Sequence, residues 1–284
     1  MGCFRFSISI NAKTEKIKIK AQLALDQRRV KHHFQLSINM KQSIQVESLT
    51  KVFGNFIAVD HITFEVDKGE IFGFLGANGA GKTTAMRMLC GLLSPTSGKG
   101  TVAGFDINKA ANKIKQNIGY MSQKFSLYED LTVNENMRLF GGIYGMNHSA
   151  IQNKTAQSLS ELGLTTEKDL LVKSLPLGIK QKVSFAVSIF HTPQIVFLDE
   201  PTGGVDPVAR RMFWEMIYQA AEQGITIFVT THYMDEAEYC NRVSIMVDGR
   251  IDALDTPENL RKQYKANSMD DVFLAIARKV ISDE

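Results

Sequence analysis

Apolar and polar residues alternate over Ile44 to Val52 and again over Ile57 to Val66, with Gly54-Asn55 between the two runs. A period of two predicts a pair of half-buried strands. Asp67-Lys68-Gly69 reads as a turn,. Glu70 to Gly76 is a short, nearly unbroken apolar run, the pattern of a strand buried on both faces,. A glycine-rich loop follows, then a helix over Lys82 to Leu93. Helical spacing covers 107–117 and 132–164, and a further helix starts near Gly178,. Beyond it apolar runs and helices alternate at Ile195 to Leu198, Val208 to Glu222, Ile225 to Thr230, Met234 to Tyr239 and Val243 to Val247. Strands interleaved with helices predict an α/β fold around parallel strands. No internal repeat or low-complexity tract interrupts the pattern.

The loop after the third strand carries chemistry. Gly76-Ala77-Asn78-Gly79-Ala80-Gly81-Lys82-Thr83, with Thr84 next, fits G-x-x-x-x-G-K-[ST] between an apolar strand and a helix,. Glycines let the backbone wrap a phosphate chain with its N–H groups inward, and the helix start adds its positive dipole end. Lys82 is then placed for the β- and γ-phosphates and Thr83 for Mg²⁺. Ile195-Val196-Phe197-Leu198-Asp199-Glu200 is a second buried strand ending in two carboxylates, which in an α/β sheet emerge where ligands bind,. Asp199 is a candidate Mg²⁺ ligand and Glu200 a candidate general base for the attacking water.

Leu198-Asp199-Glu200-Pro201-Thr202, then Gly204-Val205-Asp206-Pro207, then Val229-Thr230-Thr231-His232 resemble the ATPases of ABC transporters over about residues 44–280. The resemblance implies a P-loop NTPase core with an antiparallel β subdomain and a helical subdomain at about 118–185, within a nucleotide-binding domain over 42–284 whose tail is about 265–284. It implies ATP and Mg²⁺ as ligands. It makes Gln123 the loop glutamine that touches Mg²⁺ and faces a membrane partner, His232 the switch histidine at the γ-phosphate, Asp206 a residue of the dimer seam, and Phe53 the aromatic that stacks on adenine. It also implies a separate integral-membrane permease, pairing of two ATPase copies or of this chain with a similar ATPase, and a place on the cytoplasmic face of the membrane. The signature departs from the usual Leu-Ser-Gly-Gly-Gln and reads Leu175-Pro176-Leu177-Gly178-Ile179-Lys180-Gln181. Gly178, Lys180 and Gln181 stay in register as nucleotide contacts, while Pro176 replaces a serine. One hydroxyl contact to a charged group is lost, about 1.5–3 kcal/mol. This variant, the run His232 to Glu238 and the tail Ser268 to Leu274 resemble the drug-exporter branch of the second ABC exporter type.

Bulk properties trim the alternatives. Residues 1–41 hold nine Lys or Arg against two acids, a net of +7, so the rest of a chain of net charge +3 carries −4. A mildly acidic body gives no electrostatic reason to expect a nucleic-acid partner. The basic segment reads as a poorly ordered extension, with Met40 as a candidate start. Cys3, Cys90 and Cys240 lack metal or redox spacing, which fits a reducing compartment,. No apolar run approaches the ~18–20 residues of a membrane span, so a membrane role requires another chain,. The rival reading is a non-transport ABC ATPase acting on ribosomes or DNA. A single such domain, and about a hundred residues without sustained heptads between phosphate loop and signature, argue against it,. A regulatory module that does not hydrolyse ATP is a third reading, opposed by Asp199, Glu200 and His232.

Overall fold

The computed structural model describes residues 41–123 and 127–282; the basic extension, Met40 and Phe125 lie outside this range. Among the described residues, ten strands fall into two sheets. The smaller is antiparallel where its registers are defined, in the order β2-β1-β4-β5, with β1 at Gln42–Phe53, β2 at Phe56–Asp67, β4 at Ser97–Val102 and β5 at Phe105–Asp106. The larger runs β10-β9-β3-β8-β7-β6, with β3 at Ile71–Gly76, β6 at Ile118–Met121, β7 at Ile195–Asp199, β8 at Thr226–Thr231, β9 at Arg242–Val247 and β10 at Arg250–Asp255. All neighbours in it are parallel except β10 on β9. The two strand runs expected at 44–66 thus form the start of the antiparallel sheet. The buried run at 70–76 becomes the centre of the parallel one.

Every residue of β3, β7 and β8 is buried. Phe228 on β8 stands among Phe64, Phe72, Phe74 and Phe197, with ring centroids 5.3–6.2 Å away. Phe64 comes from the antiparallel sheet, so these rings weld the two sheets into one core. Parallel registry then fixes the site. Leu75 lies opposite Thr231, and Asp199 opposite Thr230, so the ends of β3, β7 and β8 share one edge of the sheet,.

Helix α1 spans Lys82–Leu89, α2 Ala111–Asn117, α3 Val133–Ile143, α4 His148–Glu161, α5 Leu177–Ser188, α6 Pro207–Glu222, α7 Pro257–Tyr264 and α8 Met269–Ser282. α3, α4 and α5 enclose a separate apolar cluster that includes Met137, Ile151, Val183 and Phe190. The helical region read as starting near 118 starts later. Ile118–Met121 is a strand paired with β7, held there because Ile118, Gly119 and Met121 are buried against it. Met234–Tyr239 is a 3-10 helix, and the helix expected to reach Leu93 ends at Leu89. β4 gave no apolar pattern because Ser97-Gly98-Lys99-Gly100 pairs with β1 through its backbone and a Lys99–Glu47 ion pair at 2.9 Å, with no apolar side chain.

Candidate functional site

The strand–loop–helix unit at 71–89 builds the site. The loop runs tight against the chain beneath it. At Gly81, φ is 103°, and a Cβ would lie 2.3 Å from the Ala58 carbonyl oxygen. At Gly76 it would lie 2.4 Å from that of Met246. Only glycine fits either position. Ala80 accepts a hydrogen bond from the Gly249 N–H, pinning the loop to the β9–β10 turn. No side chain caps α1, whereas Thr132, Asn147, Asp206 and Thr256 cap α3, α4, α6 and α7. The first N–H groups of α1 are therefore left for a ligand.

Lys82 is 4 % exposed. Its ammonium donates to the carbonyls of Gly76 at 2.8 Å and Ala77 at 3.0 Å, and stands 3.5 Å from Glu200 Oε1. Burial holds its pKa below the ordinary lysine value, an effect partly offset by the charge of Glu200,. Thr83 donates to Asp199 Oδ1 at 3.3 Å, and Thr230 donates to the same oxygen at 2.7 Å. Glu200 collects three partners. Besides Lys82, the Gln123 amide donates to its Oε2 at 3.0 Å, and His232 Nδ1 lies 3.1 Å from the same oxygen, outside hydrogen-bonding alignment.

Lys82, Thr83, Gln123 and Glu200 border a cleft of about 310 Å³ that is also lined by Phe56, Ala58, Asn78, Gly79, Gly81 and Thr84. A larger cavity of about 430 Å³ lies between α4, α5 and α6 and touches none of the predicted site residues. The cleft, not the larger cavity, holds the charged and hydroxyl groups that nucleotide chemistry requires. Among the described residues no cluster of three His, Cys, Asp or Glu could chelate a metal unaided. Thr83 and Asp199 together fit an ion such as Mg²⁺, which takes one or two protein oxygens and completes its shell from phosphates and water.

The structure brings Gly76 to Thr84, Gln123, Asp199, Glu200 and His232 together. It does not bring the other expected residues there. Phe53 ends β1 half-exposed beneath the Lys51 ammonium, 5.1 Å from its ring centroid, and Phe56 is the aromatic that lines the cleft. Asp206 accepts from the N–H groups of Val208 and Ala209 as the cap of α6. Lys180 pairs with Glu129 at 2.9 Å. Gln181, read as a nucleotide contact, lies away from the cleft of its own chain. It is 2 % exposed and turned inward, where its amide donates to the Pro201 carbonyl at 2.6 Å. Phe56 and Thr230 were not singled out from sequence. Thr230 sits beside Asp199 only through strand registry.

The profile of the ABC transporter family matches residues 59–203. The chain belongs to the ABC transporter family. It carries that family's ATP-binding domain. It is 49% identical over 220 residues to "Probable multidrug ABC transporter ATP-binding protein YbhF" of Escherichia coli (strain K12), a match covering 78% of this chain and 38% of that protein. The chain therefore spans well under half the length of that relative. It is 37% identical over 218 residues to the linearmycin resistance ATP-binding protein LnrL of Bacillus subtilis (strain 168), covering 76% of this chain and 70% of that one. A solved ATP-binding subunit of an ABC transporter superposes with a TM-score of 0.74 at 26% identity, covering 82% of this chain and 99% of that one. The non-transport reading is not favoured by these relatives. No helix among the described residues of this ABC domain is long and apolar enough to cross a membrane.

Proposed function

We propose that this ABC domain hydrolyses MgATP and powers export of drugs or other amphipathic molecules through a separate membrane permease, working at the cytoplasmic face of the membrane. The observation that carries the chemistry is Glu200. Its carboxylate stands at the mouth of the phosphate loop with Lys82, Gln123 and His232 around it. Export as the direction is supported by relatives, one called a multidrug transporter ATP-binding protein and another a resistance protein.

The phosphates of ATP enter the loop, where backbone N–H groups and Lys82 meet them. Lys82 exchanges two neutral carbonyl partners for charged oxygens, which bind an ammonium more strongly,. Thr83 and Asp199, with Gln123, would hold Mg²⁺, which neutralises charge on the β- and γ-phosphates. Glu200 takes a proton from a water whose oxygen bonds to the γ-phosphorus. The bond from that phosphorus to the bridging oxygen breaks, and ADP departs with the electron pair. His232 and Lys82 face the oxygens on which charge accumulates.

The residues absent from the cleft fit a site shared by two chains. Gly178 and Lys180 at the start of α5, and Asp206 at the start of α6, serve a second nucleotide held by a partner copy. Like α1, and unlike α3, α4, α6 and α7, α5 begins without a side-chain cap, at Pro176. The test is steady-state phosphate release together with ATP binding. Glu200→Gln retains binding and loses turnover by about a hundredfold or more, and Lys82→Ala loses binding. Normal turnover in Glu200→Gln overturns the assignment of the base. Co-purification from detergent-solubilised host membranes tests the partner, with a multi-span protein recovered in near-equal amount as the expected result.

A further inference from the structure

Glu200 does not hold itself in place. Its φ is 48°, in the left-handed region, which a non-glycine residue keeps only where its surroundings impose it,. Upstream, its N–H is tied to the Thr230 carbonyl at 3.0 Å. Downstream, the next two residues are each clamped by a buried side chain. The Pro201 carbonyl accepts from Gln181, and Thr202 donates its hydroxyl to Glu236, which is 0 % exposed. The first clamp is directional. A carbonyl can only accept, so the amide nitrogen of Gln181 must face it. Proline has no N–H, so this carbonyl is its only backbone group able to hydrogen-bond. Behind the second clamp, Arg210 Nε stands 3.8 Å from the same Glu236 oxygen, and its guanidinium lies 4.3 Å over Tyr233, the neighbour of His232.

Gln181 lies three residues after Gly178 on α5, so one helix end carries both the signature and the clamp. We propose that Gln181 is a positioning residue for Glu200. Its buried amide ties the start of α5 to the backbone directly after Glu200, so that a shift of the signature helix moves the carboxylate in the cleft of the same chain. This goes beyond the reading of Glu200 as general base, and rests on it. The signature and the base belong to two different nucleotides in a paired assembly, and the Gln181–Pro201 bond is a direct link between them.

The experiment is steady-state ATP hydrolysis by the full chain, comparing the wild type with Gln181→Met and Gln181→Glu from about pH 6 to 8.5, with the folded fraction followed by circular dichroism. Gln181→Met keeps the length and loses the donor. It lowers kcat about tenfold or more with KM for ATP unchanged. Gln181→Glu is equally slow at the alkaline end. Relative to the wild type at each pH it recovers as pH falls, because the introduced carboxyl gains a proton and can donate to the Pro201 carbonyl. That recovery is also evidence of a folded variant, so the test holds even if Gln181→Met does not fold. Turnover within about twofold of the wild type at every pH in either folded variant overturns the proposal. So does a loss confined to KM, which would return Gln181 to nucleotide contact. A wild-type chain that binds ATP but never hydrolyses it instead overturns the assignment of the base.

Discussion

His191 shows how little of a residue's state is written in its local sequence. It follows α5 in an unremarkable stretch, Ile189-Phe190-His191-Thr192. In the fold its ring stacks on Tyr144, with centroids 3.6 Å apart and planes 11° apart, and Nε2 donates to the Ile118 carbonyl at 3.1 Å. Nδ1 is buried without a partner. Burial pushes the pKa down from 6.5 to about 4, against the opposing pull of the Ile118 hydrogen bond,. The unfolded chain thus takes up a proton between pH 6.5 and about 4 where the folded chain does not. The stability tied to the neutral ring is complete above pH 6.5 and is lost as pH falls toward 4,. Urea midpoints at neutral and acid pH should fall further for the wild type than for His191→Phe, which keeps a stacking ring and has no group to protonate. Equal losses would remove the effect from His191. By contrast Lys82, Asp199 and Glu200 were legible from sequence, because each sits at a fixed offset from an apolar strand that registry delivers to one edge. The inward turn of Gln181 was not legible, for the converse reason. Position along a motif does not say which side of a helix faces the core.

At the scale of elements, periodicity recovered the long apolar strands and missed short or glycine-rich ones, among them β6, which is buried but was read as the start of the helical region. β3 and β7 were plain as apolar runs, while β4, rich in glycine, and β5, of two residues, carry too few apolar side chains to show a period. Strand order was not legible at all, since β3 lies between β8 and β9, elements more than 150 residues downstream. Phe228 is where that order matters most, because its ring touches aromatics from both sheets. Phe228→Ala removes a fully buried ring at that junction and should cost about 3–5 kcal/mol in chemical denaturation,. A loss under about 1 kcal/mol would mean that the core collapses around the missing ring. The same change should depress ATP binding only through the unfolded fraction, because the ring lines no part of the cleft.

The whole domain presents a phosphate loop at one place and a signature helix at another, and a single copy does not bring them together. If two copies complete each other's sites, Glu200→Gln with ATP should double its molar mass in solution, measured by light scattering. Gly178→Asp should prevent this by setting a negative charge where a phosphate must approach. A mass unchanged by ATP in Glu200→Gln would count against pairing of identical copies and leave pairing with a similar ATPase.

Two of the helices that begin without a side-chain cap, α1 and α5, have a further consequence. Four of the other helices satisfy their first N–H groups from within the chain, through Thr132, Asn147, Asp206 and Thr256. α1 and α5 do not, so their opening turns should exchange amide hydrogens with solvent sooner than their middles do. ATP then acts as a missing piece of secondary structure. It should slow exchange at Thr83 and Thr84 in a lone copy, and at Gly178 and Ile179 only once a second copy has closed over it. The order in which those two turns become protected as protein concentration rises would separate the binding of nucleotide from the joining of two chains.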